Sequence, residues 1–176
     1  ALLLAQEAQA DAPDDPALLE LLARAQVAAG ENQQALTTFG KLSSRMPNSV
    51  APLVAMADLQ VAAKDFASAE QSLRKALALK PDAVEAQQRL ISLLLQSKRG
   101  DAAIAVARDV QKQHGESSVG FLLEGEALSA MGKSADAVGP YSEAFKRDKS
   151  PQSLIRVHSA RLAAGQEQEA AKLVSD

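Results

Sequence analysis

Alanine returns along this chain at an almost unvarying interval. It stands at Ala1, Ala35, Ala69, Ala103, Ala137 and Ala170, four steps of 34 residues and a last step of 33. The surrounding text returns with it. Residues 31–48 read "ENQQALTTFGKLSSRMPN" and residues 65–82 read "DFASAEQSLRKALALKPD"; each opens on a carboxylate, has alanine fifth and proline next to last. Proline follows twelve residues after the first three alanines, at Pro13, Pro47 and Pro81. Before the later alanines stand the anchors Leu19, Leu53, Phe121 and Leu154, with Gln87 interrupting the set. A period of about twenty to fifty residues marks stacked repeats, in which each unit covers the apolar face of the next.

Each unit divides into two helices. "PALLELLARAQVAA" at 16–29 puts Leu18, Leu19, Leu22 and Gln26 at helical spacing, and Pro16 takes a first-turn place where its missing N–H is harmless. Gly30, Lys64, Lys98, Gly132 and Gly165 then occupy one position in successive units. Glycine there suits the positive φ that ends a helix; lysine suits the negative end of the helix dipole. A second helix follows, and proline with Asn or Asp closes it. The recurring alanine is expected at the closest approach of the pair, facing Ala23, Ala57 and Gly125. Small against small brings the axes to the short end of the usual ~8–10 Å. Phe39, Leu73 and Tyr141 fill the gap toward the next unit.

Composition narrows the function. The chain is 47% hydrophobic but only 3% aromatic, an aliphatic core suited to closely packed helices. Its net charge of −3 and its four Phe and one Tyr, which belong to the core, argue against nucleic acid. Without cysteine there is no disulfide and no thiolate zinc site. The most apolar window, "VAPLVAMADLQVAA" at 50–63, is too short to span a bilayer and carries Asp58. "ALLLAQEAQAD" is not a leader sequence, and a start without Met reads as a piece of a longer protein. His114 and His158 lie far apart with no ligand spacing around them. No nucleophile elbow or phosphate loop occurs, so no catalytic, cofactor or metal residue is expected.

The pattern resembles the tetratricopeptide repeat (TPR) over essentially the whole chain. The second unit carries it through Leu53, Met56, Ala57, Ala69, Leu73, Ala76 and Pro81. The first does so through Leu19, Leu22, Ala23, Gly30, Ala35, Phe39 and Pro47, the fourth through Phe121, Gly125, Leu128, Gly132, Ala137, Tyr141 and Ala144. The third departs, with Gln87, Ile91 at the small position and Gly115 for proline; the fifth has His158 at the small position. The resemblance implies an all-α, right-handed superhelical solenoid of antiparallel helix pairs, truncated at both ends. Residues 1–13 form the second helix of a preceding repeat. Repeats then run 14–47, 48–81, 82–115 and 116–150, with a partial repeat at 151–176.

It also implies a non-catalytic protein–protein scaffold whose first helices line a concave groove. On the repeat frame that groove comprises Glu20, Arg24 and Val27; Val54, Asp58 and Val61; Gln88, Ser92 and Leu95; Leu122, Glu126 and Ser129; and Ile155, Ser159 and Leu162. The expected partner is a protein or peptide segment, with no cofactor, nucleic acid or membrane insertion. Lysine and asparagine of a carboxylate clamp are missing from these places, and Arg24, Arg89 and Arg156 read as solvated. The alanine- and glutamine-rich phrasing ("LLARAQVAAGENQQAL", "LIRVHSARLAAGQEQEA") further resembles the TPR lipoproteins of bacterial exosortase/PEP-CTERM and exopolysaccharide systems. That resemblance implies a periplasmic or cell-envelope place. Self-association, or service as the regulatory arm of an enzyme, are the alternatives. Pro140, beside Gly139, is expected to kink the second helix of its unit or delay its start to 139–141.

Overall fold

The computed structural model describes residues 2–173, and among these residues there are eleven helices and no strand. The all-α class of paired helices is what the sequence led us to expect. The chain divides into two compact units, residues 1–86 and 87–176.

The first unit holds α1 (Leu2–Asp11), α2 (Pro16–Ala28), α3 (Asn32–Arg45), α4 (Ala51–Ala62) and α5 (Phe66–Leu79), each packed on the next. Asp15 opens α2, its carboxylate accepting from the N–H groups of Ala17 (2.8 Å) and Leu18 (3.2 Å), which satisfies two of the donors a helix start leaves orphaned. Between α2, α3 and α4 lies a cluster of Leu19, Ala23, Ala35, Phe39, Leu42 and Leu59, against which Leu36, Ala55 and Met56 pack. Burying a Leu or Phe side chain contributes roughly 1.5–3 kcal/mol. The alanines bury far less area, so their role is to let the helices meet. A polar clasp crosses each hairpin: Thr38 Oγ1 donates to Gln26 Oε1 at 2.8 Å, and the Ser72 hydroxyl lies 2.8 Å from the Gln60 amide.

The second unit takes in most of α6 (Val84–Gln96), then α7 (Gly100–Gln113), α8 (Val119–Ala130), α9 (Ser134–Asp148), α10 (Pro151–Ala163) and α11 (Glu167–Leu173). From α7 onward each helix packs on its successor. The recurring Ala35, Ala69, Ala103, Ala137 and Ala170 are all at 0% exposure; Ala1 lies outside the described residues. Gln87 is 2% exposed and Ile91 4%, so the third unit keeps these two departures inside, whereas Gly115 is exposed.

Five turns repeat one geometry. Gly30, Lys64, Lys98, Gly132 and Gly165 all have positive φ, between 57° and 79°. After each, the next N–H reaches back to a carbonyl of the preceding helix: Glu31 to Gln26, Asp65 to Gln60, Arg99 to Leu94, Lys133 to Leu128 and Gln166 to Arg161, at 2.8–2.9 Å. The two lysines thus adopt the same left-handed conformation as the glycines, which their charge alone did not foretell.

Two sequence expectations are corrected here. α9 starts at Ser134 and runs through Pro140, so there is no late start at 139–141. Pro140 lacks the N–H that would bind the Asp136 carbonyl, and Asp136 and Pro140 both border an open cleft. The aromatic residues are not all core: Phe39 (6%) and Tyr141 (3%) are buried, whereas Phe66 is 37% exposed and Phe121 lies under the Arg147 guanidinium, 3.9 Å from its ring centroid.

Candidate functional site

On α2 the core stripe is Leu19, Leu22, Ala23 and Gln26. Glu20, Arg24 and Val27, at i, i+4 and i+7, are thereby set on a neighbouring face. They border a cleft of ≈ 390 Å³ enclosed by α2, α3 and α4. Phe39 and Leu42 of α3 and Leu59 of α4 form its floor, with Met46 and Ala55 on the walls and Asp58 on the rim. Four groove residues expected from the sequence, Glu20, Arg24, Val27 and Asp58, therefore meet at one cavity. The part of the floor from α3 was not assigned to the groove because it comes from the second helix of the hairpin. Its sequence signal was Phe39, read as filling the gap toward the next unit.

Arg24 binds Glu20 through Nη2 at 2.6 Å and Nε at 3.0 Å, both to Oε1. The pair is exposed and follows helix spacing, so it contributes only a few tenths of a kcal/mol, about 0.3–0.5. It orients the rim and adds little to stability.

Val54 is a correction. It is 5% exposed and offers no surface to a partner. α4 is apolar nearly all round, as suits a helix packed on both α3 and α5. A short aliphatic side chain is enclosed there, whereas Asp58 one turn on lies at the exposed surface. Val61 is half-buried.

In the second unit Gln88 is exposed, Leu95, Leu122 and Glu126 are half-buried, and Ile155 is 63% exposed. Of the lesser positions Ser92, Ser129, Ser159 and Leu162 are exposed. Arg156 Nη2 meets Glu126 Oε1 at 3.1 Å, joining α10 to α8; this arginine was expected to be merely solvated. None of these residues lines the cleft of ≈ 590 Å³ between α7, α8 and α9, whose border includes Arg108, Lys112, Glu124, Lys133 and Asp136. Glu124 is the unforeseen group. Its side chain is 9% exposed, and it accepts from Arg108 Nε and Gln111 Nε2, each at 2.7 Å. Both carboxylate oxygens are thus engaged within the fold.

Among the described residues no group of three or more His, Cys, Asp or Glu is placed to hold a metal ion. Among the same residues no helix is long and apolar enough to cross a membrane.

A family model for the tetratricopeptide repeat matches residues 60–120. None of the curated proteins matches in sequence. Solved structures do match in fold. Residues 41 to the end of MamA from Desulfovibrio magneticus RS-1 are 18% identical, with 91% of each chain covered and a TM-score of 0.63. YrrB, described as a TPR protein with an unusual peptide-binding site, is 12% identical, covering 99% of this chain and 91% of its own, at 0.61. A tetratricopeptide repeat protein from Parabacteroides merdae ATCC 43184 is 19% identical, covering 98% and 68%, at 0.66.

Proposed function

We propose that this chain, which has the tetratricopeptide-repeat fold and carries that family's repeat over residues 60–120, is a non-catalytic scaffold that binds a partner segment along its first helices. The observation that carries this reading is the convergence of Glu20, Arg24 and Asp58 on a cleft with a carbon floor, a concave, mostly apolar site with few polar groups. Exposed Ile155 and half-buried Leu122 supply a second apolar surface of the same kind on the other unit. The repeats are assigned as 14–47, 48–81, 82–115, 116–150 and a partial 151–176. The alanine- and glutamine-rich phrasing supports a place in a bacterial cell-envelope assembly serving exopolysaccharide or protein sorting.

The test is selection of binding peptides by the purified chain, followed by affinity measurement on Met46→Glu and on Leu122→Glu/Ile155→Glu. Loss of binding in at least one folded variant is expected. Equal binding by all three proteins refutes the groove assignment.

A second reading is favoured by one observation: Leu3 and Leu4 of α1 are 74% and 70% exposed. A helix showing two such leucines to water is suited to self-association. Light scattering over a hundredfold concentration range decides; a constant monomer mass removes it.

A further inference from the structure

We propose that α1 of one copy of this chain docks on the face that α8 and α10 present in a second copy. The proposal rests on the self-association reading above and supplies the surface that receives α1. On α10, Ile155 and Leu162 are 63% and 47% exposed. Seven residues apart, they stand about two turns from each other on one side of the helix. The bridge from Arg156 to Glu126 ties that side of α10 to α8. Half-buried Leu122 lies one turn before Glu126, as Ile155 adjoins Arg156, so it comes to the same face. Three aliphatic side chains thus share one open surface.

The occupant follows from charge. α10 contains Arg156 and Arg161 and no Asp or Glu, so its counterpart is an apolar helix bearing carboxylates. The sequence of α1 meets that description, with Glu7 and Asp11 and no Lys or Arg. Its Leu3 and Leu4 are exposed, and Glu7, also exposed, follows them at i+4 and i+3 on the same face. Arg156 is held by Glu126, and Arg161 donates to the Glu169 carbonyl; the attraction therefore comes from the summed field and not from a new ion pair. The units lean the same way. Residues 1–86 contain eleven Asp and Glu against seven Lys and Arg, whereas residues 87–176 contain eleven against twelve. Two α1 helices laid together would repel, while α1 on α10 attracts. The contact thus joins unlike surfaces, and each chain carries one of each.

The experiment measures mass by light scattering over a hundredfold concentration range at low salt, on the whole chain and two variants. The mass of the parent is expected to rise. Leu3→Glu/Leu4→Glu and Ile155→Glu/Leu162→Glu should each stay monomeric, with helix content unchanged in circular dichroism because all four positions are exposed. Mixed in equal amounts, the two variants are expected to form a two-chain species and nothing larger, since each keeps the surface the other has lost. Glu7→Lys should weaken association about three- to tenfold, with added salt acting in the same direction. Association by Ile155→Glu/Leu162→Glu alone would mean that α1 meets α1, overturning the receiving face while self-association stands. Two monomeric variants that form no mixed species, or affinity unchanged in Glu7→Lys, also overturn the pairing. A parent chain that stays monomeric, yet selects acidic leucine-bearing peptides that Ile155→Glu/Leu162→Glu fails to bind, would place a foreign acidic helix on this face and overturn the second copy. A monomeric parent without such peptides removes both the proposal and the reading beneath it.

Discussion

A β-carbon on Gly125 of α8 would stand 2.5 Å from Cε1 of Tyr141 on α9, so the ring occupies the space that glycine leaves open. The tyrosine is 3% exposed, and its hydroxyl accepts from Ser129 Oγ at 3.3 Å. Burial pushes its phenol above the ordinary range, with the Ser129 bond opposing.

Gly125→Ala must displace that ring. Overpacking of this kind costs about 1–3 kcal/mol, readable as a lower urea midpoint. Gly40, also within a helix, has nothing within 4 Å of its would-be β-carbon. Gly40→Ala is expected to stabilise by roughly 0.5–1 kcal/mol, since only the helix propensity changes. Equal effects of the two would contradict the packing described.

Glu124 stands where the first and third units carry Leu22 and Leu90, both buried. Glu124 is enclosed although Arg108 is largely exposed, and removing the partner of an enclosed charge is more damaging than removing the charge itself. Arg108→Ala is therefore expected to destabilise by about 1–3 kcal/mol. Glu124→Leu should be close to neutral, or stabilising. Denaturant unfolding of both variants gives the comparison, and a costlier Glu124→Leu would show the carboxylate to be a net contributor.

Lys64 and Lys98 hold φ of 61° and 57°, a region costing an ordinary residue about 1–2 kcal/mol. Glycine removes that strain but loosens the unfolded chain. The net expectation for Lys64→Gly or Lys98→Gly is a gain of about 0.5–1 kcal/mol. Loss of stability in both would mean that the lysine heads make a larger contribution than the backbone strain.

At Asp148, burial favours the neutral form, but hydrogen bonds from the Ser150 backbone and from the Ser153, Ser118 and Ser150 side chains outweigh it and hold the carboxyl below its usual range. The stabilisation is fully present above the unfolded value, about pH 4, and is lost as pH falls through the lower folded value. Asp148→Asn should thus lower the melting temperature at pH 7, and the gap to the parent should shrink below pH 4. A gap independent of pH would show that the charge is not involved.

Much of this architecture was legible because it depends on spacing. The 34-residue alanines predicted the closest helix contacts, and each described one is fully enclosed. Gly30, Gly132 and Gly165 announced left-handed turns, and Pro16 announced a helix start. What escaped depended on neighbours across the pair. Val54 shares the spacing of Asp58 yet is enclosed, since helix periodicity says which face a residue occupies but not how deep the next helix sits. Glu124 was not singled out, because carboxylates seldom enter a core unpaired and its partner Arg108 lies on another helix. The rim of the unit-one cleft was visible from α2 and α4, whereas the share of its floor that α3 supplies was not assigned to the groove.

The shared turn geometry has a genetic corollary. Gly30 and Lys64 end their helices with the same backbone shape and the same reach-back bond. A crossover joining Gly30 directly to Asp65 would excise 34 codons and leave a junction the fold already uses. Lengthening by the reverse event would be equally seamless, so such a gene is free to change its number of units faster than it changes the units themselves.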